Sequence, residues 1–315
     1  MAKENTVSIC ILSCNRPTLL REAIQSCMTQ ARKPDCIIVG DDSTNDDAEN
    51  VVADLAKETT IRIDYKRNPV RLGQNGNTNS LFDRATTSHL MLLHDDDLLT
   101  PNAVEDLLSC WDEYPSLTAA YGKWYIMSHN GDVDLQASIQ YNTAFSRIPE
   151  RSGLQKNDWE VGLIQQFAGA AYMILTSVAQ ATRWRPAEVV GAGGEFDFGL
   201  RLGMTYHGFY FIDRYTMKYR KTETGSMSSS KYDDAAMYSY VVLEESNFSS
   251  LAGGEALRMK IMDQKSAGAM IQAIRHGQRK LAWRIYCSRH HGWRRRFSPG
   301  GVRRLLLLLF SFVKL

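Results

Sequence analysis

Residues 89–101 read HLMLLHDDDLLTP. The apolar run from His89 to Leu93 has the length of a buried strand, and it breaks directly into His94-Asp95-Asp96-Asp97. Consecutive carboxylates repel one another and raise each other's proton affinity, so something has to offset their proximity. A divalent cation does so, because Mg2+ and Mn2+ take oxygen ligands and commonly use one or two carboxylates together with a substrate's phosphates. The same string has a plainer reading, in which Asp97 caps a helix after Pro101 or the acids form a solvated turn. The neighbouring segments decide between the two.

Upstream the chain repeats one rhythm. Val7 to Leu12 (VSICIL) reads as a strand closed by the polar SCNRP loop. Thr18 to Gln30 reads as a helix, with Leu19, Leu20, Ala23, Ile24, Cys27 and Met28 at helical spacing and Thr18 available as N-cap. Cys36 to Val39 is a second strand ending at Gly40 and Asp41; Asp46 to Lys57 reads as a helix, Ile61 to Tyr65 as a strand and Asn75 to Ala85 as a helix. Strands alternating with helices mean βαβ units, hence an α/β fold on a mainly parallel sheet. In such sheets ligands gather beyond the carboxyl ends of the strands. Those ends carry Asn15 and Arg16, then Asp41 and Asp42, then Asp95, Asp96 and Asp97.

Downstream, Pro101 to Glu113 is expected to be helical, Ala119 to Met127 extended, residues 130–160 irregular, Glu195 to Met204 helical and Gly208 to Ile212 extended. Beyond about residue 235 the pattern is helical, with a break at Gly253-Gly254. The expected organisation is one α/β domain over residues 1–235 and a helical, basic region over 236–315.

The net charge of +2 conceals an asymmetry. From residue 251 onward fourteen Lys or Arg face only Glu255 and Asp263, so this segment carries +12 and the remainder −10. A basic end on an acidic body points to an anionic partner, either a membrane surface or a polyanionic substrate, or else to a solvated basic face. The last stretch, WRRRFSPGGVRRLLLLLFSFVKL, joins Arg294, Arg295, Arg296, Arg303 and Arg304 to an apolar run from Leu305 to Val313. That run is too short to span a bilayer, which takes about twenty residues, and reads as an interfacial anchor or as a packed or oligomer-forming helix. Nothing in the pattern points to nucleic acid. Cys10, Cys14, Cys27, Cys36, Cys110 and Cys287 show no CxxC spacing and read as reduced thiols, which together with a polar start running straight into a strand gives a cytoplasmic expectation, peripheral on the inner face of the membrane if the anchor holds.

Taken together, VSICILSCNRP, IIVGDDSTND and NPVRLGQNGNTNSLFDRATTSHLMLLHDDDLLTP resemble the inverting family-2 glycosyltransferases of the GT-A fold, in order and at matching spacing over roughly residues 6 to 230. The resemblance implies transfer of a sugar from a nucleoside diphosphate sugar, a UDP-sugar by preference, to a glycan or lipid-linked acceptor with the help of Mn2+ or Mg2+. It implies that Asp96, with Asp97 and Asp95 beside it, holds the metal. Leu12, Cys14, Asn15, Arg16, Asp41, Asp42, Asn79 and Asp95 fall where the family contacts the nucleotide, and Arg220 where it contacts phosphate. GGEFDFGLRL places Glu195 where the family's catalytic base sits, with Asp197 in reserve; on physical grounds alone an acid there also suits a helix N-terminus. Cys14 stands where the family often has Tyr, and YRKTETGSMS lacks the usual His, leaving Glu223 or Thr224 as stand-ins for a third ligand. Two alternatives stand beside this reading: a nucleotidyltransferase, which shares sheet and metal but usually has a Gly-rich, Lys-bearing first loop that SCNRP lacks, and a catalytically silent nucleotide-sugar-binding scaffold.

Overall fold

The computed structural model describes residues 5–167, 169–221 and 234–310. They fall into two compact units, the first running to Arg185 and resuming from Phe198 through the last strand, the second formed by Pro186–Asp197 with the residues from Asp234 onward.

In the first unit β1 (Val7–Ser13), α1 (Pro17–Met28), β2 (Cys36–Asp41), α2 (Asp47–Ala56), β3 (Arg62–Arg67), α3 (Gly73–Arg84) and β4 (His89–His94) alternate as expected. Then come β5 (Leu98–Leu99), α4 (Ala103–Glu113), β6 (Ala119–Met127), β7 (Val133–Asp134), α5 (Leu135–Ala144), β8 (Gly153–Leu154), α6 (Asp158–Leu163), β9 (Tyr172–Leu175) and α7 (Thr176–Thr182). The chain passes α8 (Ala187–Val190) and α9 (Gly194–Thr205) before β10 (Phe209–Arg220). Helices α10 (Ala235–Glu245), α11 (Gly254–Arg275), α12 (Arg279–Cys287), α13 (Trp293–Arg296) and α14 (Pro299–Phe310) form the basic end. The break expected at Gly253-Gly254 separates α10 from α11, with Gly253 at φ +76°.

The sheet runs β3-β2-β1-β4-β9-β6-β10-β5, with β7 beside β6 and β8 beside β10. Strands β3, β2, β1 and β4 are mutually parallel, as are β6 and β10, while β9 runs antiparallel between β4 and β6. The chain steps outward from β1 to β3 and then crosses to the other side of β1 as β4. Strand order therefore reverses at β1, which opens a crevice beyond the carboxyl ends of β1, β2 and β4. Both faces of these strands are covered. Ile9, Ile11, Val39 and Met91 pack under Leu20, Ile24, Val52 and Leu107, while Cys10, Ile38, Leu90 and Leu92 pack under Leu81, Phe82 and Phe198. Double burial explains why the strands read as unbroken apolar runs instead of alternating ones.

Two local expectations are corrected. Helix α1 starts at Pro17, with Arg16 as N-cap and no side-chain cap bond; Pro17 presets the helical φ, and Thr18 lies inside the first turn. The stretch expected to be irregular contains α5, capped by the Asp134 carboxylate accepting from the Ala137 amide at 2.8 Å. Its inward face is polar, which is why no apolar period announced it. Strand β9 covers only Ala119–Tyr121 of β6. Beyond that point Asn142 accepts from the Trp124 amide and donates to its carbonyl, at 3.1 and 2.8 Å, and Ser138 accepts from the Ile126 amide at 2.8 Å. Polar side chains thus replace a missing strand.

Strand β10 is longer than the expected Gly208–Ile212 and shifts register against β6 twice between Phe211 and Met217. The bulged segment crosses β6 at Gly122, where a Cβ would stand 2.6 Å from both the Arg214 carbonyl oxygen and Thr216 Cγ2. Gly122→Ala is expected to cost about 1–3 kcal/mol through overpacking against backbone. Thermal unfolding followed by circular dichroism checks this; an unchanged midpoint would mean that the bulge relaxes freely.

Candidate functional site at the carboxyl ends of the strands

The acidic string closes a turn. The Asp97 amide donates to the His94 carbonyl at 3.2 Å, so His94 and Asp97 are the first and last residues of a four-residue reversal with Asp95 and Asp96 at its corner. The Asp95 amide donates to the Leu12 carbonyl at 3.1 Å, which hangs the turn on the end of β1.

The three carboxylates are treated differently. Asp95 is fully buried, accepts from the Cys14 amide at 3.1 Å and meets the Arg16 guanidinium at 2.6 Å. Burial pushes its pKa up to about 7 in spite of Arg16, and Asp96 adds to the rise. Asp96 takes the other end of the same guanidinium at 2.5 Å and keeps partial exposure. Asp97 is buried; one oxygen accepts from the Arg220 amide at 3.0 Å, while Oδ2 has no hydrogen-bond partner among the described residues. Its pKa is raised well above the carboxylate range, first by burial and then by Asp96.

His94 Nδ1 lies 4.0 Å from Asp97 Oδ2, and His94 Nε2 is likewise buried without a partner. Ligand atoms of His94, Asp96 and Asp97 lie within 4.8 Å of one another, close enough for one cation to draw them together. Two orphaned buried polar atoms and a partly exposed carboxylate fit a divalent ion, which relieves the like-charge crowding directly. Asp95 instead faces Arg16. His94 was not singled out as a ligand from sequence, although it stands in the same string; the signal was the turn, since positions i and i+3 of a reversal converge.

Around the turn, the β1 and β2 loops are laced together. Asn15 adopts φ +54°, a conformation that Asn tolerates better than most residues. Its amide donates to Ser43 Oγ at 2.7 Å, and its side-chain oxygen accepts from the Thr44 amide at 3.1 Å. Ser43 Oγ passes its proton on to Asp41 Oδ1 at 2.5 Å, while Tyr65 donates to Asp41 Oδ2 at 2.8 Å. Asp42 accepts from Asn68 at 2.9 Å and from the Leu72 amide at 3.1 Å.

The remaining expected residues divide. Asn79 of α3 exchanges two hydrogen bonds of 2.9 Å with the backbone of Trp184. The buried Arg220 donates to the Asp96 carbonyl at 3.0 Å, the His129 carbonyl at 2.7 Å and Glu22 at 2.5 Å. Glu195 and Asp197 occupy the first turn of α9, Glu195 half-buried and Asp197 buried. Both belong to the second unit. Glu223 and Thr224 lie outside the described residues.

Gly40 sits under this network. Asn77 donates to its carbonyl at 2.8 Å and accepts from Asn68 at 3.1 Å, and a Cβ on Gly40 would lie 2.3 Å from Asn77 Oδ1. Gly40→Ala should evict Asn77, free Asn68 from Asp42 and cost about 1–3 kcal/mol. A midpoint lowered by roughly 2–4 °C per kcal/mol is the expected melt; an unmoved midpoint would show that Asn77 has an alternative seat.

Residues 8–172 match the family model described as Glycosyl transferase family 2. Over 103 residues the chain is 38% identical to the GalNAc(5)-diNAcBac-PP-undecaprenol beta-1,3-glucosyltransferase of Campylobacter jejuni, covering 32% of this chain and 33% of that one. A second relative, uncharacterized protein MT1568 of Mycobacterium tuberculosis, is 26% identical over 147 residues, 46% of this chain and 44% of that one. The chain thus spans less than half the length of these curated relatives. In fold it is similar to S. aureus TarS 1-349 in complex with UDP-GlcNAc, with TM-score 0.59, 13% identity and coverage of 97% of this chain and 81% of that chain. It is also similar to the mannosyltransferase PcManGT of Pyrobaculum calidifontis in complex with GDP-Man and Mn2+, with TM-score 0.58, 13% identity and coverage of 97% and 87%.

Proposed function

The chain belongs to glycosyl transferase family 2, and from that premise we propose that it moves one sugar, with inversion, from a UDP-sugar to a glycan or lipid-linked acceptor. The observation that carries the reading is the convergence of His94, Asp96 and Asp97 within 4.8 Å at the reversal of strand order. A UDP-GlcNAc complex and a GDP-Man and Mn2+ complex among proteins of similar fold, and a glucosyltransferase of an undecaprenol-linked substrate among the relatives, support the donor class and the lipid-linked acceptor.

In this reading Asp96 and Asp97 hold Mn2+ or Mg2+, with His94 joining them and Asp95 behind them. When bound, the ion supplies neutralisation of the departing diphosphate, a contribution of several kcal/mol to transition-state stability. The chain's own residues do the rest. Asp41 and Asp42 receive the pyrimidine base and ribose, with Leu12, Cys14 and Asn15 forming the floor. Arg16 holds Asp95 and Asp96 apart from one another's charge and stands at the edge of the diphosphate. Arg220, expected at the phosphates, fixes the Asp96 carbonyl and the Asp97 carboxylate, and Asn79 holds the wall contributed by Trp184. Glu195 takes the proton of the acceptor hydroxyl as it attacks the anomeric carbon, with Asp197 in reserve. Residues 1–235 form the catalytic region and 236–315 the basic one.

The basic end is assigned to an anionic membrane surface. Among the described residues no helix is long and apolar enough to cross a membrane. Trp293 and Phe297 are 67% and 76% exposed, beside the exposed Arg294 and Arg303, and Leu306, Leu309 and Phe310 project from α14. Aromatic and apolar groups interleaved with arginine suit a lipid interface at the cytoplasmic face; self-association through the same face is the competing use.

Calorimetric titration of UDP is expected to show heat that requires Mn2+ and disappears in Asp96→Ala. UDP binding of equal strength with and without metal would remove the metal from the mechanism. Glu195→Gln is expected to keep donor affinity and lower kcat by about 10²–10⁴-fold, the usual worth of a positioned base; full turnover would return that role to Asp197 or to another group.

A further inference from the structure

In the second unit one buried histidine, His291, feels three arginines and, among the described residues, one acid. His291 is fully buried; Ser266 Oγ lies 2.9 Å from its Nδ1, and its Nε2 has no partner among the described residues. Arg304, Arg296 and Arg295 all hold its proton affinity down, adding to burial, which is the larger cause; together they bring its pKa to about 4. Asp263 is the acid that answers them, and its two oxygens are taken by Arg295 at 2.9–3.1 Å.

Arg296 and Arg304 are left over. Arg296 donates one NH2 proton to the Ser288 carbonyl at 2.6 Å, but its Nε is buried and unpartnered, as is Nε of Arg304. The backbone that carries them has little freedom to move apart, because a Cβ on Gly301 would lie 2.0 and 2.2 Å from the carbonyl oxygens of Arg295 and Arg296. Helices α13 and α14 are thus held together, and each carries a guanidinium whose Nε has no partner among the described residues; Ser288 ties His291 to the first of them, accepting from the His291 amide at 3.2 Å and from Arg296, while both guanidinium charges act on the imidazole.

Partly buried cations with unused hydrogen-bond donors are costly unless an anion completes them. A guanidinium matches the paired oxygens of a phosphate with two parallel donors. A carboxylate has two acceptor oxygens; two Nε donors and a ring nitrogen call for a group with at least three. We propose that His291, Arg296 and Arg304 form a phosphate-binding site of the C-terminal unit. The phosphate comes either from a phospholipid headgroup, in which case the site fixes the proposed anchor to its surface, or from a soluble phosphorylated ligand. Only the first source rests on the membrane reading given above; the site itself does not.

The experiment uses the full chain with EDTA present, so that the metal site plays no part. Inorganic phosphate is titrated against sodium chloride of equal ionic strength, and binding is followed by thermal melting and by 31P line width. Phosphate is expected to raise the midpoint of the unaltered chain where chloride does not. Arg304→Lys and Arg296→Lys keep the charge but lose the fork, and should weaken phosphate about tenfold or more, the equivalent of one charge-assisted hydrogen bond. Lys260→Gln and Lys280→Gln, on the exposed surface of the same unit, should leave it unchanged. No phosphate effect, or lysine variants that bind phosphate as tightly as the unaltered chain, overturns the proposal. Flotation with phosphatidylcholine vesicles containing phosphatidic acid separates the sources. Flotation lost in Arg304→Lys supports the headgroup, and phosphate binding without flotation supports a soluble ligand while defeating the membrane reading. Retained Mn2+-dependent UDP binding in the lysine variants keeps either result apart from the glycosyltransferase reading.

Discussion

Arg16 bridging Asp95 and Asp96, at 2.6 and 2.5 Å, is the contact on which the arrangement beyond the strands depends. Three carboxylates follow one another, two of them buried, and water cannot screen them from each other. The guanidinium serves because it is planar and presents donors along two edges, so one group meets two acids from neighbouring residues. An ammonium would carry the same charge but would have to choose one partner. Arg16 is also the N-cap of α1, which starts at Pro17, and the Cys14 amide between β1 and α1 points at Asp95. The first strand-to-helix turn is therefore shaped by the acids of the fourth strand, some eighty positions further along the chain.

Arg220 closes the arrangement from the other side. Its amide meets Asp97, its Nε meets the Asp96 carbonyl, and its remaining edge is occupied by His129 and Glu22. A side chain that reads from sequence as a free phosphate donor is here committed to two backbone carbonyls and the Glu22 carboxylate. The turn is thus held by one arginine through side chains and by another through main chain, which leaves Asp96 as the carboxylate with open access.

The fold was legible where burial is two-sided. Strands β1, β2 and β4 read as apolar runs, and the helices between them show apolar faces with a helical period. It was not legible where polar side chains do structural work: α5 turns Ser138 and Asn142 inward to satisfy β6, and a pattern search for apolar period passes over it. The long β10 was cut short for a related reason, since its bulge places half-buried residues where alternation would be expected. At the candidate site, the cluster of strand-end acids was visible as composition, but the division of labour was not. Which of three adjacent aspartates faces an arginine and which faces outward depends on the turn from His94 to Asp97, and that turn is fixed by partners far away in sequence.

His94 is instructive about charge. Were its position a fourth acid, four consecutive carboxylates would face a single guanidinium side chain, and burial would drive more of them to protonate. An imidazole offers a ligand atom without adding negative charge, so the turn can be packed and still present a coordinating edge. It also changes the character of the edge, because a nitrogen donor suits Mn2+ and later first-row ions better than Mg2+, whose chemistry is nearly all oxygen. The imidazole at the start of the turn therefore does two things at once. It spares the acidic string a fourth negative charge, and it sets a nitrogen beside the carboxylate oxygens at one edge of the turn.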